Sequence, residues 1–147
     1  MGVKNGMKRV LFVCKGNMCR SPMAEAIAKV KWGDLMEAES AGVAAWAGDS
    51  ATDDAVQASR RLLRYDLSGH RARNMAEVDM ASIDIVVAMT REIAAGIDGG
   101  AGGGKPVVLA LEIADPYLEP AAVYERTLQE IERQMEDKLI PLLRRRA

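Results

Sequence analysis

The run VLFVCKGNMCRSPMAEAI, Val10 to Ile27, confines the fold more than any other part of the chain. RVLFVC (Arg9–Cys14) is continuously apolar, β-branched and aromatic, and it reads as a buried strand. The strand stops at Cys14. Ser21 suits an N-cap and Pro22 the first helical position. MAEAIAKVKW (Met23–Trp32) then carries apolar residues at helical spacing. A buried strand that feeds a helix through so short a loop begins a β-α-β unit.

The remainder of the chain repeats that alternation. LMEAESAGV (Leu35–Val43) reads as a second strand ending in a glycine turn. ATDDAVQASRRLLRYD (Ala51–Asp66) reads as a helix capped near Thr52 or Asp53. SIDIVVAMT (Ser82–Thr90) is a strand, REIAAGI a short helix, GGAGGGKP (Gly99–Pro106) a flexible loop and VVLALE a further strand. From about Pro120 to Leu143, the residues Val123, Leu128, Ile131, Met135, Leu139 and Leu142 fall on one helical face. Alternating strands and helices predict an α/β fold: a doubly wound, mainly parallel four-stranded sheet with helices on both faces. A chain of 147 residues without repeats or a linker is expected to form a single domain, residues 1–147. Ligands of such sheets bind outside the carboxyl ends of the strands, and Cys14 lies at one.

Bulk properties exclude several classes of function. The formal net charge of −1 offers no basic field to nucleic acid. No apolar run is long enough to cross a bilayer, and MGVKNGMKRV has no apolar leader core. Gly2 raises myristoylation, but Gly6 stands where that pattern needs Ser or Thr. The expectation is a cytoplasmic protein. Two cysteines in such a chain point to chemistry before a structural staple.

The loop after Cys14 has the makings of an anion cradle. Free backbone N–H groups at a helix N-terminus face it, and the helix dipole favours negative charge there. To aim consecutive N–H groups at one centre the backbone must alternate hand, and Gly16 and Asn17 do so at low cost. Arg20 adds a planar fork for two phosphate oxygens. A cysteine on the floor of that cradle is favoured as thiolate, and Ser21 can steady it with a hydroxyl hydrogen bond. Such a thiolate is placed for in-line attack on phosphorus, giving a phosphocysteine without any metal or other cofactor. The leaving group then needs a proton. ADPY (Ala114–Tyr117) offers Asp115, on a loop before the last helix.

VCKGNMCRSPMAE followed far downstream by DPY resembles the low-molecular-weight protein tyrosine phosphatases. ESAGVAAW, DLSGHRAR and DIVVAM extend the likeness over nearly the whole chain. The resemblance implies a tyrosine-phosphorylated protein or peptide as substrate. It implies Cys14 as nucleophile, Arg20 as phosphate clamp and Asp115 as general acid. Lys15, Gly16, Asn17, Met18, Cys19 and Ser21 would complete the phosphate-binding loop. Asn17, Ser21, Ser40 and His70 would hold the loop by hydrogen bonds. Trp46 and Tyr117 would flank an aromatic leaving group, and Cys19 would trap an oxidised Cys14 as a disulfide. A monomer is expected. Lys15, Thr90 and Leu118 depart from the family pattern.

Each residue also has a plainer reading. Asp115 can be a turn residue before Pro116, and His70 a structural histidine. Trp46 and Tyr117 can be surface aromatics. Cys14 and Cys19 lack the Cys-x2-Cys spacing of a zinc knuckle and have no second pair. GGAGGGKP nearly spells a nucleotide-binding loop, but Pro106 stands where Mg²⁺ binding needs Ser or Thr. Three other functions use a related loop. A protein arginine phosphatase shares the scaffold, and members of that branch tend to carry Thr where Met18 stands. A thioredoxin-coupled arsenate reductase needs relay cysteines beyond Cys19. A non-catalytic phosphate-binding module needs neither Cys14 nor Asp115.

Overall fold

The computed structural model describes residues 7–99 and 104–145. Strand β1 (Lys8–Cys14) is central. It pairs in parallel with β2 (Met36–Gly42) on one side and with β3 (Ile85–Ala88) on the other. Strand β4 (Val107–Ala110) adds in parallel to β3, so the order is β2-β1-β3-β4. The chain leaves β1 for β2 and later returns to β3 on the opposite side. The crevice at this reversal opens at the carboxyl ends of β1 and β3, where Cys14 lies.

The central position of β1 explains its unbroken apolar run. Val10 and Phe12 share a cluster with α1 (Arg20–Trp32), α2 (Asp53–Leu63) and α4 (Ala121–Gln134). Leu11 and Val13 point to the other face, where they meet Ile83, Val86 and Ile93. That face is covered by the short helix α3 (Arg91–Ala95) and two 3₁₀ turns, Met75–Glu77 and Met80–Ser82. Helices therefore lie on both faces, with the long ones on one.

Three local expectations are corrected. Helix α1 begins at Arg20, and no side chain caps it. The Ser21 hydroxyl is instead drawn into the cradle, so the site takes the group that a cap would use. Gly16 is absent from the residues of positive φ; Asn17 alone turns left-handed in this loop, at φ 57°. The last apolar face also changes register. After α4 the backbone widens into a π-helical turn, Met135–Leu139, before α5 (Ile140–Arg144). Ile140 N–H donates back to the Met135 carbonyl. Pro141 has no N–H to continue an α-helical ladder, and a π turn immediately before it absorbs the mismatch. Beyond the turn Ile140 and Leu143 are buried and Leu142 only partly.

Thr52 caps α2, accepting from Ala55 N–H at 3.4 Å. Gly2, Gly6 and residues 100–103, half of the GGAGGGKP run, lie outside the described residues. Among the described residues, no helix is long and apolar enough to cross a membrane.

Candidate active site

Asn17 is the hub of the loop. It is fully buried, and its left-handed backbone turns its N–H toward Cys14, donating to Sγ at 3.2 Å. An asparagine tolerates this conformation better than most side chains. Three elements then fix its side chain and carbonyl. Arg73 N–H donates to Asn17 Oδ1 at 2.9 Å, which settles the amide orientation. Asn17 Nδ2 donates to Ser21 Oγ at 2.8 Å and to Ser40 Oγ at 3.0 Å. His70 Nε2 stands 2.8 Å from the Asn17 carbonyl. A carbonyl only accepts, so Nε2 carries the proton.

These bonds impose a direction on the hydroxyls. Ser40 Oγ–H donates to Glu25 Oε1 at 2.6 Å, because a carboxylate only accepts. Ser40 therefore receives from Asn17, and so does Ser21. The single proton of Ser21 is left to face Cys14 Sγ at 2.9 Å, with the Ala41 carbonyl at 3.4 Å as the longer alternative. Glu25 is itself held by Lys29 Nζ at 2.7 Å. The chain from Glu25 to Cys14 thus presents a hydroxyl proton to the sulfur.

Arg20 is 6% exposed. Its Nη1 donates to the Ile113 carbonyl at 2.9 Å, and Nη2 lies 3.6 Å from Asp115 Oδ2. Its Nε is buried with no partner among the described residues. Asp115 is half-exposed, and its Oδ1 accepts from Tyr117 N–H at 3.1 Å. A cleft of about 280 Å³ is lined by Cys14, Lys15, Gly16, Met18, Cys19, Arg20, Ala44, Asp115 and Tyr117. The structure thus brings together most of the residues singled out in the sequence. Trp46 is not in the lining; it stands 79% exposed, and Ala44 lines the cleft from the same segment.

Cys14 and Cys19 are both free and buried. Cys19 Sγ lies 3.5 Å from both Thr52 Oγ1 and Tyr124 Oη. Burial pushes the Cys19 thiol up, against those two hydrogen bonds. Burial also pushes the Tyr124 phenol up. The departures find local explanations at two positions. Thr90 Oγ1 accepts from Ile93 N–H at 3.1 Å and caps α3. Leu118 has φ 68° and is 86% exposed beside Tyr117, a left-handed conformation that glycine adopts at less cost. Lys15 is an exposed cation at the cleft.

Three residues have roles at the site that went unread in the sequence, although each lies within a quoted motif. They are Glu25 in PMAE, Gly42 in ESAGV and Arg73 in the segment ending HRAR. Gly42 closes β2 against the loop, and a Cβ there would meet Lys15 O at 2.6 Å. Among the described residues, no three His, Cys, Asp or Glu side chains are grouped to hold a metal ion.

Comparison with known proteins agrees with this geometry. Low molecular weight protein-tyrosine-phosphatase YfkJ of Bacillus subtilis is 38% identical over 91 residues, a match that spans 58% of each chain. A protein-arginine-phosphatase of the same organism is 33% identical over 135 residues, 84% of this chain and 89% of that one. The crystal structure of a low molecular weight protein tyrosine phosphatase from T. tengcongensis superposes with a TM-score of 0.77 at 36% identity, covering 88% of this chain and 95% of that one. The family described as low molecular weight phosphotyrosine protein phosphatase matches residues 9–146, and the chain belongs to it.

Proposed function

We propose that this chain is a protein-tyrosine-phosphatase acting through a phosphocysteine. The observation that carries the reading is Cys14 Sγ at the cleft, taking an N–H from Asn17 at 3.2 Å and facing Ser21 Oγ at 2.9 Å. Both donors stabilise negative charge on sulfur. The buried, unpartnered Nε of Arg20 supports the phosphate assignment, since an anion's oxygen would satisfy it.

In the first step the Cys14 thiolate attacks phosphorus and the P–O ester bond breaks. Arg20 and the loop N–H groups receive the charge on the equatorial oxygens. Asp115 gives its proton to the leaving phenoxide. In the second step Asp115, now a carboxylate, takes a proton from water as the water attacks phosphorus. The S–P bond breaks, and phosphate and the thiolate are released. Lys15, Gly16, Met18 and Cys19 complete the phosphate-binding loop. Ser40 and His70 hold Asn17, while Tyr117 walls the cleft and Trp46 stands beyond it as an outer contact for a peptide. The reading carries with it a cytoplasmic, monomeric enzyme of one domain.

Arginine dephosphorylation is the second reading. It is favoured by the relative of that name, which aligns over most of both chains. Met18 in the cleft favours the flat, apolar ring of tyrosine over a guanidinium. The deciding experiment is phosphate release from paired phosphotyrosine and phosphoarginine peptides in EDTA, with Cys14→Ser as blank. Turnover of phosphotyrosine that the variant abolishes is expected. A preference for phosphoarginine would keep the roles of Cys14, Arg20 and Asp115 and replace the substrate. No release from either would leave a binding module.

A further inference from the structure

The segment Leu111–Ile113, which leads into Asp115, continues the edge of the sheet. Leu111 N–H donates to the Ala88 carbonyl at 2.8 Å and Ile113 N–H to the Met89 carbonyl at 2.8 Å. Glu112 lies between them, so by strand alternation its N–H and C=O face away from β3. On an edge strand those groups are open to pairing with another strand or with water.

Here a side chain takes them. Gln134, the last residue of α4 and 8% exposed, accepts from Glu112 N–H through Oε1 at 2.8 Å. It returns a hydrogen bond from Nε2 to the Glu112 carbonyl at 3.1 Å. The second Nε2 proton goes to Glu130 Oε2 at 2.7 Å, and Arg133 pairs with the same carboxylate. The Gln134 amide thus stands in for the peptide group of a neighbouring strand and is itself anchored. One residue further on, Arg20 Nη1 holds the Ile113 carbonyl. Three successive residues are therefore pinned by β3, by Gln134 and by Arg20, and Asp115 follows after one more. The π-helical turn starts at Met135, directly after Gln134.

We infer that Gln134 is a positioning residue for the reaction, fixing the backbone that carries Asp115 so that its carboxyl meets the leaving-group oxygen. The inference rests on Asp115 being the general acid. A displaced acid does not weaken phosphate binding; it slows the step in which the leaving group takes its proton. The penalty therefore grows with the basicity of the leaving group.

The test compares kcat/KM for phenyl phosphate, whose phenol leaves with difficulty unprotonated, and p-nitrophenyl phosphate, whose phenolate leaves readily. Gln134→Met, Asp115→Asn and their combination are measured against the parent enzyme. Gln134→Met is expected to lose about tenfold or more on phenyl phosphate and several-fold less on p-nitrophenyl phosphate. It is expected to add nothing to Asp115→Asn. Equal losses on both esters, or full additivity with Asp115→Asn, would overturn the inference. If Asp115→Asn itself responds equally to both esters, Asp115 is not the acid, and the assignment of Asp115 falls first. Should Gln134→Met fail to fold, Gln134→Glu, which keeps the acceptor for Glu112 N–H, carries the same comparison.

Discussion

Gly42 lies against Lys15 so closely that a Cβ built on it would stand 2.6 Å from the Lys15 carbonyl oxygen and 2.9 Å from Asn17 N. Both obstacles are backbone of the phosphate-binding loop. The loop is seated on the end of β2 through Val43 N–H to the Cys14 carbonyl at 3.0 Å and Ala44 N–H to the Lys15 carbonyl at 2.9 Å. The cradle therefore has its shape from two neighbouring strands of a parallel sheet, with β2 left bare at the one place where the loop folds over it.

Gly42→Ala has no flexible side chain to push aside. The loop must move, and with it the Asn17 N–H that faces Cys14 Sγ. A loss of stability of about 1–3 kcal/mol is expected, as for other overpacked sites. Phosphate should also protect the variant less against thermal unfolding than it protects the parent protein. Equal protection by phosphate would show that the cradle accommodates the methyl group.

Cys19 should be a poor nucleophile at neutral pH. Burial raises its thiol above the ordinary cysteine range, so at a given pH less of it is thiolate, the form that alkylates. Iodoacetamide at neutral pH, followed by peptide mapping, is expected to mark Cys14 and leave Cys19 unmodified. Labelling of Cys19 should grow only as the pH is raised. Adducts on Cys19 in the folded protein at neutral pH would contradict the burial argument.

Much of this site is legible in the sequence because an anion cradle on a central strand admits few residue types. A strand buried on both faces needs the unbroken run of β1, and a buried left-handed residue that must also donate two hydrogen bonds is well met by asparagine. What is not legible depends on neighbours that only the fold supplies. Gly42 and Glu25 meet the loop through β2. Gln134 meets Glu112 across 22 positions of sequence. Ser21 reads as a cap because capping and thiolate stabilisation ask for the same short hydroxyl at the same place. The last helix reads as one face because the π turn before Pro141 leaves no mark on apolar spacing until the register after it is known.

Glu25 acts on Cys14 through Ser40, Asn17 and Ser21, and the order of donors makes the coupling testable. Ser21→Ala removes the hydroxyl proton aimed at sulfur. A hydrogen bond to a charged partner is worth about 1.5–3 kcal/mol, so kcat/KM should fall about tenfold or more. Glu25→Gln gives the Ser40 proton a neutral acceptor in place of a charged one, so Ser40 and the Asn17 amide that donates to it are held less firmly, at a cost of about 1 kcal/mol or less. The double variant should be no worse than Ser21→Ala alone, since the first change acts only through the second. Additive losses would mean that Glu25 supports the helix and not the thiolate.

Glu39 should link the loop to acid stability. Arg9 Nη2 donates to its Oε2 at 2.6 Å and Arg73 Nη2 to its Oε1 at 2.8 Å, tying β1 and the Arg73 segment to β2. Burial alone would raise this carboxyl. The hydrogen bonds from Arg73 and Arg9 outweigh burial and hold it below the ordinary carboxylate value. A carboxyl lowered in the folded state binds fewer protons there than in the unfolded chain. Its stabilisation is complete above the unfolded value and is lost as pH falls through the folded one. Urea unfolding of the parent protein and of Glu39→Gln, taken from neutral pH into acid, should therefore show a gap that closes as pH falls. The gap should be largest at low salt, since both arginines are partly exposed. A gap of constant size would mean that Glu39 contributes packing and not charge. Since Arg73 N–H also fixes Asn17 Oδ1, the same acid range should weaken phosphate's protection of the parent protein more than that of Glu39→Gln.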